Sequence, residues 1–235
     1  MKYAIIAAGE GSRLAQEGIR QPKPLVEVCG ERLTDRLVRI FTEHGASEVL
    51  VICNSLTPLV ASHLTRLQQD GAPLRFIQKT TPSSMHSLWE LSPWLKDEPF
   101  VLTTVDTVFR EEEFSRYVAA FQHMLNNGEA DGLMGVTDYI DDEKPLYVDT
   151  DAQLSVRAFL DQQQNPHYIS AGIYGLTPKS IDTLAACMAR GESRMRNFQR
   201  ALIADGLRLK AYPFSTVLDI DHASDIAKAE SFLAS

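Results

Sequence analysis

The stretch Ala7-Ala8-Gly9-Glu10-Gly11-Ser12-Arg13-Leu14 ends an apolar run that starts at Tyr3. A short apolar run that ends in glycine is typical of a buried parallel strand followed by a loop. Two glycines directly after such a strand let backbone N–H groups approach a phosphate closely, although a plain turn has the same composition. Two other phosphate-binding motifs do not fit: Leu14 stands where the dinucleotide fingerprint needs a third glycine, and the sequence has no GK[ST] of a P-loop.

The segment that follows carries two cations. Residues 9–24 are rich in glycine, proline and charge, which predicts a long loop, and Arg13 lies near its start. Lys23 lies at its end within Pro22-Lys23-Pro24-Leu25, where the prolines limit the backbone freedom of the lysine. Each cation alone is typical of a solvated surface. On either side of a glycine-rich loop, the two together predict a clamp for a triphosphate.

Strand-like and helix-like segments alternate through the first half of the chain. Short apolar runs at residues 25–28, 49–53, 74–77 and 100–104 predict strands, and helical spacing predicts helices at 33–44 and 111–125. This alternation predicts an α/β fold, with a mostly parallel, twisted, Rossmann-like sheet covered by helices on both faces.

The pattern changes after residue 126. Strand-like segments separated by turns such as Asp149-Thr150-Asp151 predict a small mixed-sheet insertion. Helical patterns return at residues 178–189, 194–204 and 223–233. Because no repeat, linker or low-complexity tract interrupts the chain, we expect one domain over residues 1–235.

Acidic residues follow predicted strands at two places. Asp106 lies just beyond the strand at 100–104, and a carboxylate at the carboxyl end of a buried strand faces the ligand crevice of an open sheet. Asp219 and Asp221 are two residues apart, so in extended backbone both face the same side. Helix capping is the alternative for Asp106 and Asp221. Carboxylate oxygens, with no Cys and His set suited to zinc, favour Mg²⁺, with Mn²⁺ as a second choice.

The residues quoted above carry a family resemblance. Residues 7–14 followed by Pro22-Lys23-Pro24-Leu25-Val26-Glu27-Val28 resemble the opening signature of the sugar-phosphate and alcohol-phosphate nucleotidyltransferases. The resemblance implies a glycosyltransferase-A-like fold, catalytic roles for Arg13, Lys23 and Asp106, and a metal site formed by Asp106 with Asp219 or Asp221. The other residues implied in nucleotide binding belong to the glycine loop and the base pocket: Ala8, Gly9, Gly11, Ser12, Gln78, Ser83 and Ser84.

Two segments resemble different branches of this family. Residues 82–88, with His86 at an aromatic position, resemble the phosphocholine-cytidylyltransferase-like branch. Ser170-Ala171-Gly172-Ile173-Tyr174 resembles the strand that lines the acceptor site of the sugar branch, where a glycine lets a ligand approach the backbone. The choline branch has an aromatic residue where Lys144-Pro145 stands here, so a cage for a quaternary ammonium is not expected.

The expected acceptor-binding residues are Lys144, Ser170 and Gly172. The sugar branch carries a lysine before its acceptor strand, and this chain lacks it; Arg194 and Arg196 are candidates to replace that cation. By the same resemblance, residues 1–126 form the NTP-binding part, 127–177 the acceptor side, and 178–235 the closing part with the second metal carboxylates.

The expected activity is transfer of a nucleoside monophosphate from an NTP to a small phosphorylated acceptor, with release of pyrophosphate. A sugar 1-phosphate is the favoured acceptor. A CTP-dependent cytidylyltransferase that acts on a polyol or lipid-headgroup phosphate is the main alternative. A glycosyltransferase and a non-catalytic nucleotide-binding module are weaker alternatives, because the glycine loop is followed by both cations and all the expected carboxylates.

Composition limits the partners. The formal net charge is −8 and no run of five like charges occurs, which argues against nucleic acid. The first apolar run is too short for a signal peptide or a membrane span, so no membrane partner is expected. Three widely spaced cysteines, Cys29, Cys53 and Cys187, predict reduced thiols in a cytoplasmic protein. The composition is compatible with a homo-oligomer and with a monomer.

Overall fold

The computed structural model describes residues 1–141, 144–162 and 167–234. Its strands are β1 (Lys2–Ala7), β2 (Glu27–Val28), β3 (Glu31–Arg32), β4 (Glu48–Cys53), β5 (Leu74–Gln78), β6 (Phe100–Thr104), β7 (Thr107–Val108), β8 (Gly132–Thr137), β9 (Tyr147–Thr150), β10 (Val156–Leu160), β11 (Tyr168–Leu176), β12 (Leu209–Phe214) and β13 (Leu218–Asp219). Its helices are α1 (Ser12–Gln16), α2 (Leu33–Glu43), α3 (Pro58–Gln69), α4 (Ser84–Leu95), α5 (Glu111–Asn127), α6 (Lys179–Ala189), α7 (Met195–Ala204) and α8 (Ala223–Ala234). In the described ranges, no helix is long and apolar enough to span a membrane.

Nine strands of the described residues form one sheet. Its order is β10-β9-β11-β6-β1-β4-β5, and β8 and β12 join it through β11. β1 pairs in parallel with β4 and β6, and β4 pairs in parallel with β5. β11 runs antiparallel to β6, β8 and β9. The predicted α/β fold is therefore confirmed, and the mixed strands continue the same sheet as the parallel ones.

Helices cover both faces of this sheet. Tyr3 and Ile5 of β1 are fully buried in a hydrophobic cluster that also contains side chains of α2, α3, α5 and α8. Ala4 and Ile6 of the same strand belong to a second cluster, with α4, α6 and α7. Successive residues of a strand point to opposite faces, so a strand buried on both sides is apolar at every position. This arrangement confirms the predicted helical layers.

The predicted long loop at residues 9–24 is partly wrong, because α1 forms inside it. The helix begins after Gly11, which has a φ of 61°, and Leu14 packs into the core with 1% of its surface exposed. Burial of this one apolar side chain holds a helical turn in a segment whose composition favours a loop. The predicted strand at 25–28 is shorter than expected, since Lys23–Leu25 forms a 3₁₀ turn and only β2 is extended.

The predicted turn at Asp149-Thr150-Asp151 lies too early in the chain. β9 continues through Thr150, and the turn covers the residues after it. Asp151 forms this turn, because its Oδ1 accepts backbone N–H groups from Gln153 at 2.9 Å and Ser155 at 2.8 Å. Only the last of the three polar residues therefore has the turn-forming role that its type favours.

Candidate active site

A cavity of about 320 Å³ opens where β1 and β6 end. Parallel strands that end at the same edge of a sheet leave a crevice there, which is the usual ligand site of such folds. We name it the first cavity; its lining consists of residues 6–11, 23–24, 81–84, 87 and 104–106. The sequence-predicted residues in this lining are Ala8, Gly9, Gly11, Lys23, Ser83, Ser84 and Asp106. The lining does not include Ser12, Arg13 or Gln78. Ser12 and Arg13 belong to α1, and Gln78 is the last residue of β5.

Gly11 allows the glycine loop to pack against Lys23. Its φ of +61° lies in the left-handed region, and a Cβ added there would come within 3.2 Å of the Lys23 Cβ. Any other residue would be strained by the backbone angle and crowded by the lysine. At Gly9, an added Cβ would meet no described atom within 4 Å, so the space beside it is open to the first cavity.

Lys23 lies between two carboxylates from distant parts of the chain. Its Nζ is 2.5 Å from Oδ2 of Asp106 and 2.8 Å from Oδ1 of Asp221, and only 11% of the lysine side chain is exposed. Burial alone would lower the pKa of the ammonium, but the charges and hydrogen bonds of the two carboxylates outweigh it and raise that pKa above its ordinary value. Lys23 is therefore a fixed positive charge at the edge of the first cavity.

Asp221 also contacts Arg13. Its Oδ2 is 3.0 Å from Nη1 of Arg13, so this one carboxylate accepts hydrogen bonds from both cations of the predicted clamp. Partial burial raises the pKa of Asp221, yet the hydrogen bond from Lys23 and the charges of Lys23 and Arg13 bring it below the ordinary value. Asp221 does not cap α8; Asp225 accepts from the backbone N–H groups of Asp221 and His222 instead.

Asp219 reaches the same region through a short strand pairing. In the β13–β7 pair, Asp219 lies opposite Thr107, and the N–H of Ile220 donates to the carbonyl of Asp106 at 3.1 Å. Tyr174 is a buried phenol on β11. Burial raises the pKa of Tyr174 to about 12, with smaller contributions from the negative charges of Asp219 and Asp106. The structure thus brings Asp106 and Asp221 to the same ammonium, and Asp219 lines the second cavity with Asp221.

A second cavity, of about 410 Å³, lies on the other side of these carboxylates. Its lining includes Arg13, Lys144, Ser170, Asp219 and Asp221, with residues of α8. Two of the three predicted acceptor residues, Lys144 and Ser170, are therefore in this cavity. Arg13 also lines this second cavity and not the first.

Gly172, the third predicted acceptor residue, is not in this lining. Its φ of +71° lies in the left-handed region, and an added Cβ would be 3.2 Å from Oγ1 of Thr107. Backbone strain and crowding therefore explain glycine at this position without a ligand. Arg196 does not line the cavity either, because it contacts Asp161 at 2.7 Å and the carbonyl of Lys144 at 3.0 Å. Arg194 precedes α7 and its N–H donates to Oγ of Ser83 at the first cavity, 3.3 Å away.

One link at the site was not predicted from the sequence. Glu17, at the end of α1, accepts hydrogen bonds from Nδ1 of His222 and from the N–H of Ala223, each at 2.6 Å. This contact ties the glycine loop to the start of α8, next to Asp221. Nothing in the local pattern around Glu17 signals it, because the partner is more than two hundred residues away along the chain.

The carboxylates fit a divalent cation that substrate phosphates help to bind. In the described part of the chain, no group of three or more His, Cys, Asp or Glu residues is arranged to hold a metal by itself. Mg²⁺ is usually bound through one or two carboxylates, with water and substrate phosphates as its other ligands. Asp106 and Asp221, whose oxygens meet at the Lys23 ammonium, and the neighbouring Asp219 supply that oxygen chemistry.

An open α/β sheet with a glycine loop, a lysine and convergent carboxylates at its strand ends defines the class of nucleotidyltransferases with a glycosyltransferase-A-like fold. A family model described as nucleotidyl transferase matches residues 2–235, and the chain belongs to this family.

Individual relatives are distant. The glucose-1-phosphate cytidylyltransferase of Salmonella typhimurium is 24% identical over 140 residues, which cover 56% of this chain and 52% of that protein. The bifunctional IPC transferase and DIPP synthase of Rubrobacter xylanophilus is 24% identical over 98% of this chain and 51% of its own. The chain thus spans about half the length of these curated relatives.

Solved structures show the same fold over nearly the whole chain. The inositol-1-phosphate CTP transferase from T. maritima matches with a TM-score of 0.80 at 16% identity, over 99% of this chain and 94% of that one. A putative glucose-1-phosphate thymidylyltransferase from Bacillus anthracis, in complex with a sucrose, has a TM-score of 0.84 at 17% identity, over 99% and 95% of the two chains.

Proposed function

We propose that the protein transfers a nucleoside monophosphate from an NTP to a small phosphorylated acceptor and releases pyrophosphate. One observation carries this proposal: the Lys23 ammonium lies between Asp106, which lines the first cavity, and Asp221, which lines the second. A donor in the first cavity and an acceptor in the second would meet at this charge. The glycine loop and Lys23 belong to the nucleotide side, and Lys144 and Ser170 to the acceptor side.

The proposed reaction is an in-line displacement at the α-phosphorus of the NTP. An oxygen of the acceptor phosphate forms the new P–O bond, and the bond from the α-phosphorus to the bridging oxygen breaks as pyrophosphate leaves. A phosphate monoester has a second pKa of about 6, so it is largely ionised at neutral pH and needs no general base. The residues then act by positioning the two phosphates and by offsetting their charge, with Lys23 at the α-phosphate.

The proposed reaction uses a divalent metal ion. Asp106, with Asp219 or Asp221, would hold Mg²⁺, and Mn²⁺ would substitute for it. The ion would supply charge neutralisation at the transferred phosphate.

A sugar 1-phosphate is the favoured acceptor. The second cavity is lined by hydroxyl, carboxylate and ammonium groups, which suit a hydroxylated phosphate ester, and two similar proteins are named for glucose 1-phosphate. A CTP-dependent reaction with a polyol or lipid-headgroup phosphate is the second candidate. It is favoured by the full-length likeness to an inositol-1-phosphate CTP transferase.

We also propose a cytoplasmic location, where NTPs are available and the free thiols of Cys29, Cys53 and Cys187 stay reduced.

A matrix of NTPs against acceptors, read as pyrophosphate release, tests the activity and the acceptor class together. We expect the highest kcat/KM with a sugar or polyol phosphate and the lowest with phosphocholine, because Lys144 stands where an ammonium cage needs an aromatic ring. Release that depends on both substrates would support transfer. Higher kcat/KM for phosphocholine would contradict the acceptor assignment, and no release with any pair would contradict the proposed activity.

Arg13 is expected to affect substrate binding as well as turnover. Its guanidinium is 56% exposed and its contact with Asp221 is on the surface, so Arg13→Ala is expected to leave the melting temperature nearly unchanged. By the family resemblance Arg13 would contact the triphosphate of the NTP, although it lines the second cavity in this structure, and loss of that charge-assisted contact is expected to raise KM for the NTP by about tenfold. Steady-state kinetics with each substrate varied separately measures this effect. A rise in the acceptor KM alone would instead assign Arg13 to the acceptor, on whose side it lies in this structure.

A further inference from the structure

Asn54 lies one residue beyond β4 and is a buried amide with only 1% of its surface exposed. Its Nδ2 donates to the carbonyl of Ala8 at 2.9 Å. Its Oδ1 accepts from Oγ1 of Thr80 at 2.7 Å and from the N–H of Leu56 at 2.9 Å. One side chain thus holds two different segments of the chain by hydrogen bonds.

These two segments lead into two separate walls of the first cavity, residues 8–11 and residues 81–84. Ala8 lines the cavity and begins the glycine loop, and Thr80 directly precedes the lining residues 81–84. Asn54 itself is not part of the lining, so it acts on any ligand only through the segments that it holds. We propose that Asn54 is a positioning residue that sets the separation of the two walls and thereby the affinity for the nucleotide. The identity of that nucleotide as an NTP rests on the proposed function.

The bonds of Asn54 lie just past the end of the sheet. β1 and β4 are already paired in register from Lys2 opposite Glu48 to Ala7 opposite Cys53, and this ladder does not need Asn54. Ala8 and Thr80, in contrast, lie beyond β1 and β5, where the chain leaves the sheet and no ladder fixes it. Removal of the amide is therefore expected to loosen the cavity walls more than the sheet beneath them.

Three variants and one control test the proposal. Asn54→Leu keeps the branched shape and the number of heavy atoms, with a larger volume, but removes both the donor and the acceptor of the amide. Thr80→Val leaves Asn54 in place and removes the hydroxyl by which Asn54 holds the segment that precedes residues 81–84; this hydroxyl also lies 2.6 Å from Oγ of Ser55, so that contact is lost as well. The third variant combines the two. Gln68→Leu is the control, because Gln68 also donates an amide hydrogen bond to a backbone carbonyl, that of Leu74 at 2.9 Å, but at the opposite end of β5.

The measurements are KM for the NTP, KM for the acceptor, and Kd for the NTP by calorimetry in the presence of Mg²⁺. We expect Asn54→Leu to raise KM and Kd for the NTP by about tenfold, the scale expected when a buried hydrogen-bonding group loses its partner. The acceptor KM is expected to change by less than about twofold. Thr80→Val should act in the same direction with a smaller effect, and the double variant should fall short of the product of the two. Gln68→Leu should match the wild type in all three constants.

Several results would overturn the inference. They are a normal NTP Kd in Asn54→Leu, equal rises in both KM values, or fully multiplicative effects in the double variant. If Asn54→Leu does not fold, Thr80→Val alone decides, and a normal NTP Kd in that variant overturns the proposal. A wild type that binds an NTP without turnover would sink the proposed function and leave the Kd comparison intact. A wild type that binds no NTP would contradict both.

Discussion

Replacement of Lys23 by alanine is expected to lower kcat by about 10²-fold or more, the scale seen when a preorganised electrostatic contact is removed. The Lys23 ammonium is only 11% exposed and is fixed by two carboxylates, so it needs little reorganisation when charge shifts between the phosphates. Lys23→Gln, which is slightly shorter and keeps a hydrogen-bond donor but no charge, should lose nearly as much. Steady-state kinetics of both variants with saturating substrates is the measurement.

Lys2 offers a matched control for Lys23. It is also a mostly buried lysine, 17% exposed and 3.6 Å from a carboxylate of Glu98, but it lies at the amino end of β1, away from both cavities. Lys2→Ala should keep a normal kcat, and a melting curve of each variant separates loss of stability from loss of function. A near-normal kcat in Lys23→Ala with a normal melting temperature would show that this loop is not the catalytic phosphate clamp.

Removal of divalent metal is expected to abolish turnover. Two cations, Lys23 and Arg13, face three carboxylates, Asp106, Asp219 and Asp221, so the junction of the cavities carries a formal charge of −1 before any substrate binds. A triphosphate and an acceptor phosphate add several more negative charges at the same point. Without a divalent ion these charges repel each other across a partly buried site, where water screens them weakly.

Pyrophosphate release with excess EDTA measures this effect. We expect release to fall to background and to return when Mg²⁺ or Mn²⁺ is added beyond the chelator. Asp106→Asn should lose turnover even at high Mg²⁺ concentration, because it removes one negative ligand that cannot be replaced by adding ions. Full turnover in EDTA would rule out the metal assignment of all three carboxylates.

The position of Asp106 at the crevice could be predicted from local order, but the ion pairs of Lys23 with Asp106 and Asp221 could not, and the grouping of Asp106 with Asp219 or Asp221 came from the family resemblance. Asp106 comes after an apolar strand, and parallel strands end at a common edge where such carboxylates meet. The continuous apolar run of β1 likewise predicted a strand that is covered on both faces. In these cases the secondary structure alone specifies the place of the side chain.

Asn54 and Glu17 could not be predicted, because their roles depend on partners that only the folded chain brings near. Asn54 follows a strand, as Asp106 does. Its amide, however, forms hydrogen bonds with Ala8 and Thr80 and is not part of the cavity lining. Likewise, α1 forms where the local composition favours a loop, because Leu14 finds a place in the core. Local propensity does not contain the contacts that decide these positions.

The pairing of β13 with β7 has a consequence for how the protein matures during synthesis. The ribosome releases the chain from its amino end, so the lining of the first cavity emerges more than a hundred residues before Asp219 and Asp221. Until the segment at 218–221 has emerged and paired, Lys23 can contact Asp106 but not Asp221. A nascent chain can thus shape the first cavity early, while the charge cluster that joins it to the second cavity is completed only after residues 218–221 have emerged.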